Sequence, residues 1–232
     1  MNKNISSEFL HKIFNEALDN IKNNYFVEAL NKFENLNLYK KNDPEILSLI
    51  SFCHYNLKNY IKAEEYISKA IAFDPNKLGY YINKGNILKG QKKIFEAEKI
   101  YLESIKLFKN SAKLYYNLGI LYFDQHKYDL AIRYYKKSLL IDSKNKFTLN
   151  NIGSAFKKLG NFKKCKEYYQ SAILIDPFFS EAQHNLSFLL LYEGQFIEGW
   201  SKLESRKKAL NIKKILNIPK TKIWDGKQFN ST

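Results

Sequence analysis

The chain has 232 residues, of which 45% are hydrophobic, and a formal net charge of +15. Its longest uncharged apolar run, around residues 188–192, is far shorter than the roughly 20 apolar residues that span a bilayer, and residues 1–10 lack the apolar stretch of a signal peptide. We therefore expect a cytoplasmic protein with no membrane among its partners.

The positive charge suggests a nucleic-acid ligand, because clustered Lys and Arg side chains neutralise phosphates. Here the excess is nearly all Lys, and Arg133 and Arg206 are the only arginines. Recognition of phosphate and guanine favours the bidentate guanidinium group of Arg. We therefore expect no nucleic acid among the partners.

One spacing of 34 residues recurs along the chain. Asn occupies Asn83, Asn117, Asn151 and Asn185, and Asn15 lies on the same grid, with Leu49 as the exception. Small residues keep the spacing at Ala17, Ser51, Gly85, Gly119, Gly153 and Ser187, and again at Ala29, Ala63, Ala97, Ala131, Cys165 and Gly199. Large side chains keep it at Phe33, Ile67, Tyr101, Tyr135, Tyr169 and Leu203. A fixed period between roughly 20 and 50 residues marks a stack of one small supersecondary unit.

The Asp-Pro pairs at Asp74-Pro75 and Asp176-Pro177 are expected to close one repeat and open the next, which sets the frame. Residues 1–9 are then an N-terminal extension, and residues 214–232 are a tail. Between them we predict six repeats, over residues 10–43, 44–77, 78–111, 112–145, 146–179 and 180–213.

Each repeat is predicted to form two antiparallel helices joined by a short turn. In the fourth repeat, apolar residues recur at helical spacing from Leu114 to Tyr122 and again from Tyr128 to Leu139, with a break between them. Gly119 and Ala131 are expected to leave room for aromatic rings where the two helices cross. Gly160 and Gly194 lie between helices and are predicted to be turn residues with positive φ.

These columns resemble the tetratricopeptide repeat family, through Leu114-Tyr115-Tyr116-Asn117-Leu118-Gly119 and the later string Ala172-Ile173-Leu174-Ile175-Asp176-Pro177. The resemblance implies an all-α, right-handed α-solenoid whose first helices line a concave groove. Residues 10–43 match least, because Lys40-Lys41 replaces Asp-Pro, and the sixth repeat departs at Arg206, where a small residue is expected. Both ends are expected to be capping variants.

The C-terminal residues carry a second resemblance. Glu198-Gly199-Trp200, Glu204, Arg206 and Trp224-Asp225-Gly226 look like the junction at which bacterial glycosyltransferases pass from tetratricopeptide repeats to a catalytic domain. The aromatic residues that flank this junction are missing here. An alternative function is therefore the substrate-presenting part of a glycosyltransferase similar to the O-linked N-acetylglucosamine transferases, without its catalytic domain.

No arrangement of residues indicates catalysis or a cofactor. The four histidines, at positions 11, 54, 126 and 184, fall at different places in the repeat, so they do not converge on one site. Glycines do not cluster into a phosphate-binding loop, and Cys53 and Cys165 lack metal-site spacing. Cys165 takes a column of small residues and is expected to be buried. We predict a non-enzymatic protein with no cofactor and no metal.

The asparagine column points to binding instead. Asn83, Asn117, Asn151 and Asn185 come one residue before a column expected to be buried, at Lys84, Leu118, Ile152 and Leu186. A carboxamide offers both a donor and an acceptor, so a series of them would hold an extended polypeptide by its backbone. The resemblance adds that an asparagine at this position forms such a ladder in protein O-linked N-acetylglucosamine transferases. The alternative is that these side chains only bind water.

Other residues on the first helices are predicted to face the same groove. They are Tyr116, Ile120, Phe123, Asn150, Ser154, Lys157, Lys158, Phe188 and Leu191. Exposed apolar residues among them would mark an interaction site, although curvature of the array would bury them equally well. We predict a scaffold for protein–protein interaction that binds an extended peptide or partner segment in the groove.

Overall fold

The computed structural model describes residues 7–209, and the side chains as far as residue 203. Over these residues it contains twelve α-helices and no β-strand. The helices are α1 (Ser7–Lys22), α2 (Phe26–Tyr39), α3 (Pro44–Asn56), α4 (Tyr60–Phe73), α5 (Leu78–Gly90), α6 (Ile94–Leu107), α7 (Ala112–Asp124), α8 (Tyr128–Ile141), α9 (Lys146–Lys158), α10 (Phe162–Ile175), α11 (Ser180–Tyr192) and α12 (Phe196–Ala209). None of these twelve is long and apolar enough to cross a membrane.

The helices form six successive pairs, in which each odd-numbered helix packs on the helix that follows it. The first helices α3, α5, α7, α9 and α11 begin 34 residues apart, at Pro44, Leu78, Ala112, Lys146 and Ser180. Helix α1 begins at Ser7, three residues before the predicted start of the first repeat. The expected all-α helical repeat fold is confirmed.

The described residues divide into two compact parts between Ser143 and Lys144, which we call the N-terminal and C-terminal lobes. In the N-terminal lobe, α3 contacts α5 and α5 contacts α7, so first helices of successive repeats lie side by side. In the C-terminal lobe, α9 and α11 are neighbours in the same way. Each lobe therefore has a surface made of adjacent first helices.

Local sequence defines where several first helices begin. Asp43 caps α3: its side-chain oxygen Oδ1 accepts a hydrogen bond from the backbone N–H of Glu45 at 2.9 Å, and Pro44 takes the first helical position. Ser111 and Asn145 cap α7 and α9 in a similar way, because their side-chain oxygens accept hydrogen bonds from the backbone N–H groups three residues later. These caps satisfy N–H groups that have no partner inside the helix.

In three of the repeats a glycine of the first helix packs directly against a tyrosine of the second. A Cβ atom added to Gly153 would lie only 2.6 Å from Cε1 of Tyr169, and the clearance is smaller still at Gly119 against Tyr135. These tyrosine rings are almost completely buried. The prediction that the small residues make room for aromatic rings is therefore confirmed.

The turns inside the repeats all pass through the left-handed region. Gly160 and Gly194 have φ of 73° and 78°, which confirms the predicted positive φ. A Cβ atom added to either residue would have no atom within 4 Å. Lys58, Lys92 and His126 occupy the same repeat position with φ of 61° to 62°. The backbone geometry of the repeat thus imposes a conformation that glycine adopts more easily than lysine or histidine.

The core is built from the predicted columns of small residues and the rings opposite them. Ala63, Ala97, Ala131 and Cys165 are fully buried. Burial raises the pKa of the Cys53 thiol to about 12 and also raises the pKa of Cys165, so both thiols stay protonated near neutral pH. Lys84 corrects one expectation: it is half-buried, because a lysine keeps its ammonium group in water while its methylene groups pack.

His54 is the one histidine among the described residues that lies in the core, where only 2% of it is exposed. Its ring stacks on Tyr66 with centroids 5.6 Å apart, and neither ring nitrogen has a hydrogen-bond partner. Burial and the nearby Lys62 lower the pKa of His54, while Glu34 and Glu65 oppose that shift. Its repeat position holds Tyr122 and Phe156 farther along the chain.

Replacing Gly119 with Ala is expected to lower the free energy of unfolding by roughly 1–3 kcal/mol, because the new methyl group overlaps the ring of Tyr135. Gly79→Ala is the matched control, since no atom lies within 4 Å of a Cβ at that helical position. It should be neutral or stabilising by up to about 1 kcal/mol, the helix propensity of alanine over glycine. Urea denaturation followed by circular dichroism measures both. Equal effects of the two substitutions would contradict the role given to the crossing.

The pKa of His54 predicts a pH-dependent stability. The unfolded chain takes up a proton on this residue near pH 6.5, about the ordinary pKa of histidine, whereas the folded chain resists protonation. The unfolded state then binds more protons, so the free energy of unfolding falls as the pH drops below about 7, by at most about 1.4 kcal/mol per pH unit. His54→Phe should remove that part of the pH dependence.

The measurement is the difference in unfolding free energy between the parent and His54→Phe at pH 7.5 and 5.5. His126→Asn is the control, because His126 is exposed and Asn24 already occupies the equivalent turn position with positive φ. If His54→Phe follows the same pH profile as the parent protein, the buried neutral imidazole does not contribute to that profile.

Candidate functional site

The predicted site residues lie on the surfaces made by adjacent first helices, which we call the first-helix face of each lobe. In the N-terminal lobe this face consists of α3, α5 and α7, and in the C-terminal lobe of α9 and α11. Asn83 and Asn117 lie on the N-terminal face, and Asn151 and Asn185 lie on the C-terminal face. All four asparagines are half-buried.

The two asparagines of the N-terminal lobe differ in their hydrogen bonds. Asn117 donates its side-chain N–H to the backbone carbonyl of Lys113 at 2.7 Å, one turn earlier in α7. Asn83 makes no hydrogen bond with another described residue. Its carboxamide is therefore available to a ligand on both its donor and its acceptor side.

In the C-terminal lobe the amides contact one another across neighbouring helices. Asn185 Nδ2 on α11 donates to Oδ1 of Asn150 on α9 at 2.9 Å. Asn150, which we predicted to face a ligand, is only 8% exposed. The hydrogen bond leaves the side-chain oxygen of Asn185 as an acceptor, whereas Asn150 serves mainly to hold Asn185 in place.

The apolar site residues of the N-terminal lobe are half-buried. Tyr116 packs on Tyr135 with ring centroids 6.0 Å apart, and Phe123 meets Tyr128 edge-on at 5.4 Å. Ile120 lies between them on α7 and is also half-buried. Packing inside the repeat thus covers one side of these residues and leaves the other open to solvent.

The C-terminal lobe presents a more exposed set. Phe188 is 47% exposed and makes an edge contact with His184, with ring centroids 4.6 Å apart. Lys157 and Lys158 are exposed at the end of α9, and Leu191 is half-buried. The hydroxyl of Ser154 lies 3.1 Å from that of Tyr169, so this serine serves the core as well as the surface.

Two cavities lie beside the first helices α3 and α5 of the N-terminal lobe. A small pocket of about 60 Å³ lies between α3 and α5, lined by Ser51, Phe52, Tyr55, Asn83, Asn86 and Ile87. A larger cavity of about 430 Å³ lies at the start of the same two helices, where Asp43, Glu45 and Asp74 outnumber Lys77. Asn83 was predicted, whereas the other residues of the small pocket were missed.

The 34-residue spacing carried a signal for these missed residues. Phe52 and Asn86 have the same repeat position as Ile120 and Phe188, which were predicted from the later repeats. Tyr55 has the position of Phe123. The columns needed only to be extended toward the N-terminus.

The described part of the chain contains an ion pair between two first helices and no group of side chains placed to hold a metal ion. Lys89 on α5 pairs with Asp124 on α7 at 3.1 Å, so two of the charges near the N-terminal face neutralise each other. Over residues 7–203 no group of three or more His, Cys, Asp or Glu side chains is placed to hold a metal ion. His184 and Phe188 contact each other, whereas His54 lies in the core.

The geometry of six helix pairs, with a small residue of the first helix opposite a large side chain of the second, agrees with the comparison with protein families. Residues 44–77, 112–145 and 147–179 match models described as tetratricopeptide repeat. Tetratricopeptide repeats are therefore found over these three ranges. Such repeats generally mediate protein–protein interactions and bind protein partners. No curated protein matches the sequence at a significant level.

Solved structures share the tetratricopeptide repeat fold at low sequence identity. PilW, a type IV pilus biogenesis factor, is 13% identical with a TM-score of 0.72, covering 89% of this chain and 96% of its own. TTC0263, a thermophilic TPR protein of Thermus thermophilus, is 16% identical with a TM-score of 0.67, covering 78% and 99%. The Cut9–Hcn1 structure is 15% identical with a TM-score of 0.69, and the match covers 86% of this chain and 40% of that chain. Identities this low establish the fold alone.

The resemblance to a glycosyltransferase junction stays a prediction. Trp224-Asp225-Gly226 lies outside the described residues, as do the side chains of Glu204 and Arg206. Of the described residues, Gly199 is buried against Leu191 and Trp200 is 47% exposed. The contact of Gly199 belongs to the packing of α12 on α11 and carries no information on catalysis.

Proposed function

We propose that the protein binds an extended segment of a protein partner on the first-helix face of a lobe. Asn83 and Asn117 would hold the backbone of such a segment in the N-terminal lobe, and Asn151 and Asn185 in the C-terminal lobe. The observation that carries the proposal is the recurrence of a half-buried carboxamide at one repeat position of four successive first helices.

A carboxamide matches the peptide group chemically, because each has one carbonyl acceptor and N–H donors in a plane. Asn83 has both sides available, and Asn117 and Asn185 keep the carbonyl oxygen after their N–H contacts to Lys113 and Asn150. A ligand N–H would donate to these oxygens. Recognition of this kind ignores the ligand's side chains and therefore tolerates many sequences.

The spacing of packed helices suits an extended chain. Neighbouring helices lie about 8–10 Å apart, and an extended polypeptide advances about 3.3 Å per residue. Successive carboxamides on adjacent first helices would therefore meet roughly every third peptide group of the ligand. Ile120 and Phe123 lie on the same helix as Asn117, and Phe188 lies on the same helix as Asn185, so their apolar side chains would help to exclude water from these hydrogen bonds.

Changing Asn117 and Asn151 together to Ala should weaken binding of an extended peptide and leave helicity and melting temperature nearly unchanged. Two lost hydrogen bonds of about 0.5–1.5 kcal/mol each predict an affinity roughly 5- to 150-fold lower. The probe is a dodecapeptide enriched on the parent protein from a random phage-displayed library, and its binding is measured by fluorescence anisotropy.

The matched control is Asn31→Ala with Asn35→Ala, two exposed asparagines of the second helix α2. This pair should bind the peptide as the parent does. Parallel loss of stability and binding in the Asn117 and Asn151 variant would show a structural column, and failure to enrich any peptide on the parent protein would refute the proposed function.

A further inference from the structure

The small pocket between α3 and α5 has features of a side-chain subsite rather than a packing defect. Its floor is Ile87, which is 1% exposed, and its walls include the rings of Phe52 and Tyr55. Phe52 is 37% exposed and leans edge-on against Phe26, and Tyr55 meets Tyr60 in the same way, so both rings are held by second helices. An apolar depression with supported walls thus opens on the first-helix face.

The volume of the pocket restricts what enters it. About 60 Å³ is roughly the share of two water molecules in the liquid, and less than half of the roughly 150 Å³ cavity that accommodates benzene. A methyl group or the branched end of a valine has this size, whereas an aromatic ring does not. Because the floor and two walls are apolar, a small aliphatic group is preferred over bound water.

Two carboxamides line the rim of the pocket and differ in the hydrogen bonds that they make. The hydroxyl of Tyr101 donates to Oδ1 of Asn86 at 2.8 Å, so the side-chain N–H groups of Asn86 are what it offers to a ligand. Asn83 has no hydrogen bond to another described residue, so it offers both an acceptor and a donor. Together they match the carbonyl and the N–H that flank a side chain on an extended backbone.

We propose that this pocket takes one small aliphatic side chain, alanine or valine, of an extended polypeptide whose neighbouring peptide groups bind Asn83 and Asn86. The proposal rests on the proposed function, because it assigns one side-chain subsite to the same ligand. The subsite adds a sequence preference to a surface whose carboxamides by themselves would bind only the backbone of the ligand. Phe52 sets the size limit of the subsite.

Selection from a random phage-displayed dodecapeptide library tests the size limit. Peptides enriched on the parent protein should share one position restricted to alanine or valine. On Phe52→Ser that position should shift to leucine, methionine or phenylalanine, because loss of the ring enlarges the pocket. Serine is the natural residue at this repeat position in the fifth repeat, Ser154, so the helix accepts it. Phe95→Ser, at an 85% exposed residue of α6, is the control and should keep the parent preference.

A second variant addresses the amide at the rim. Asn83→Leu places at this position the residue that the second repeat carries naturally, Leu49, and should weaken the selected peptide by about 3- to 10-fold. In the parent protein, replacing the small residue of that peptide with phenylalanine should weaken binding by roughly 5-fold or more. Melting temperatures confirm that each variant is folded.

The outcomes separate the two proposals. Enriched peptides without a small-residue position, or an unchanged preference on folded Phe52→Ser, would overturn the subsite and leave backbone binding intact. If Asn83→Leu binds the peptide as tightly as the parent, the amide has no part in the subsite. Absence of any enriched peptide on the parent protein overturns the proposed function and the subsite together.

Discussion

The close approach of two helices inside each repeat is the constraint on which the structure depends, and the chain meets it by matching sizes across the crossing. Where the first helix carries Gly85, Gly119 or Gly153, the second presents a buried tyrosine. Where the first helix carries Ser51, the opposite residue is the smaller Ile67. The buried hydroxyl of Ser51 donates a hydrogen bond to the carbonyl of Ala63 at 2.7 Å, so the polar side chain at this crossing has a partner. Glycine costs helix propensity, and the packing of a whole aromatic ring offsets that cost.

The same tyrosines connect the core to the candidate binding surface. Each ring is buried, yet a hydroxyl group without a partner would be costly there. Tyr101 donates to Asn86, and Tyr169 lies within hydrogen-bond distance of Ser154. Asn86 and Ser154 occupy one repeat position on the first-helix face. That position therefore satisfies the core tyrosine and at the same time defines the polarity of the surface, which limits the residues it can hold.

The binding chemistry depends on differences among residues that the repeat makes formally equivalent. Four asparagines share a position, but Asn117 is bonded to its own helix, Asn185 to Asn150, and Asn83 to no other described residue. A uniform ladder would offer the same hydrogen bonds at each step along a ligand. These differences, together with the small pocket beside Asn83, support a surface on which one position selects a ligand side chain. The other asparagines would bind only the ligand backbone and would tolerate many sequences.

The sequence by itself determined the period, the helix pairs, the crossing residues and the turn glycines, because the 34-residue spacing repeats each local requirement several times. Burial of Cys165 followed from its column in the same way. Only the tertiary structure decided which amide is engaged and which is available, since Asn150 and Asn185 are 35 residues apart in sequence and meet through the packing of α9 on α11. It also decided that Phe52, Tyr55 and Asn86 close a pocket around Asn83, because a pocket's volume depends on side chains from separate helices. Periodicity specifies which face of a helix a residue occupies, whereas the neighbours it contacts there depend on how the helices pack.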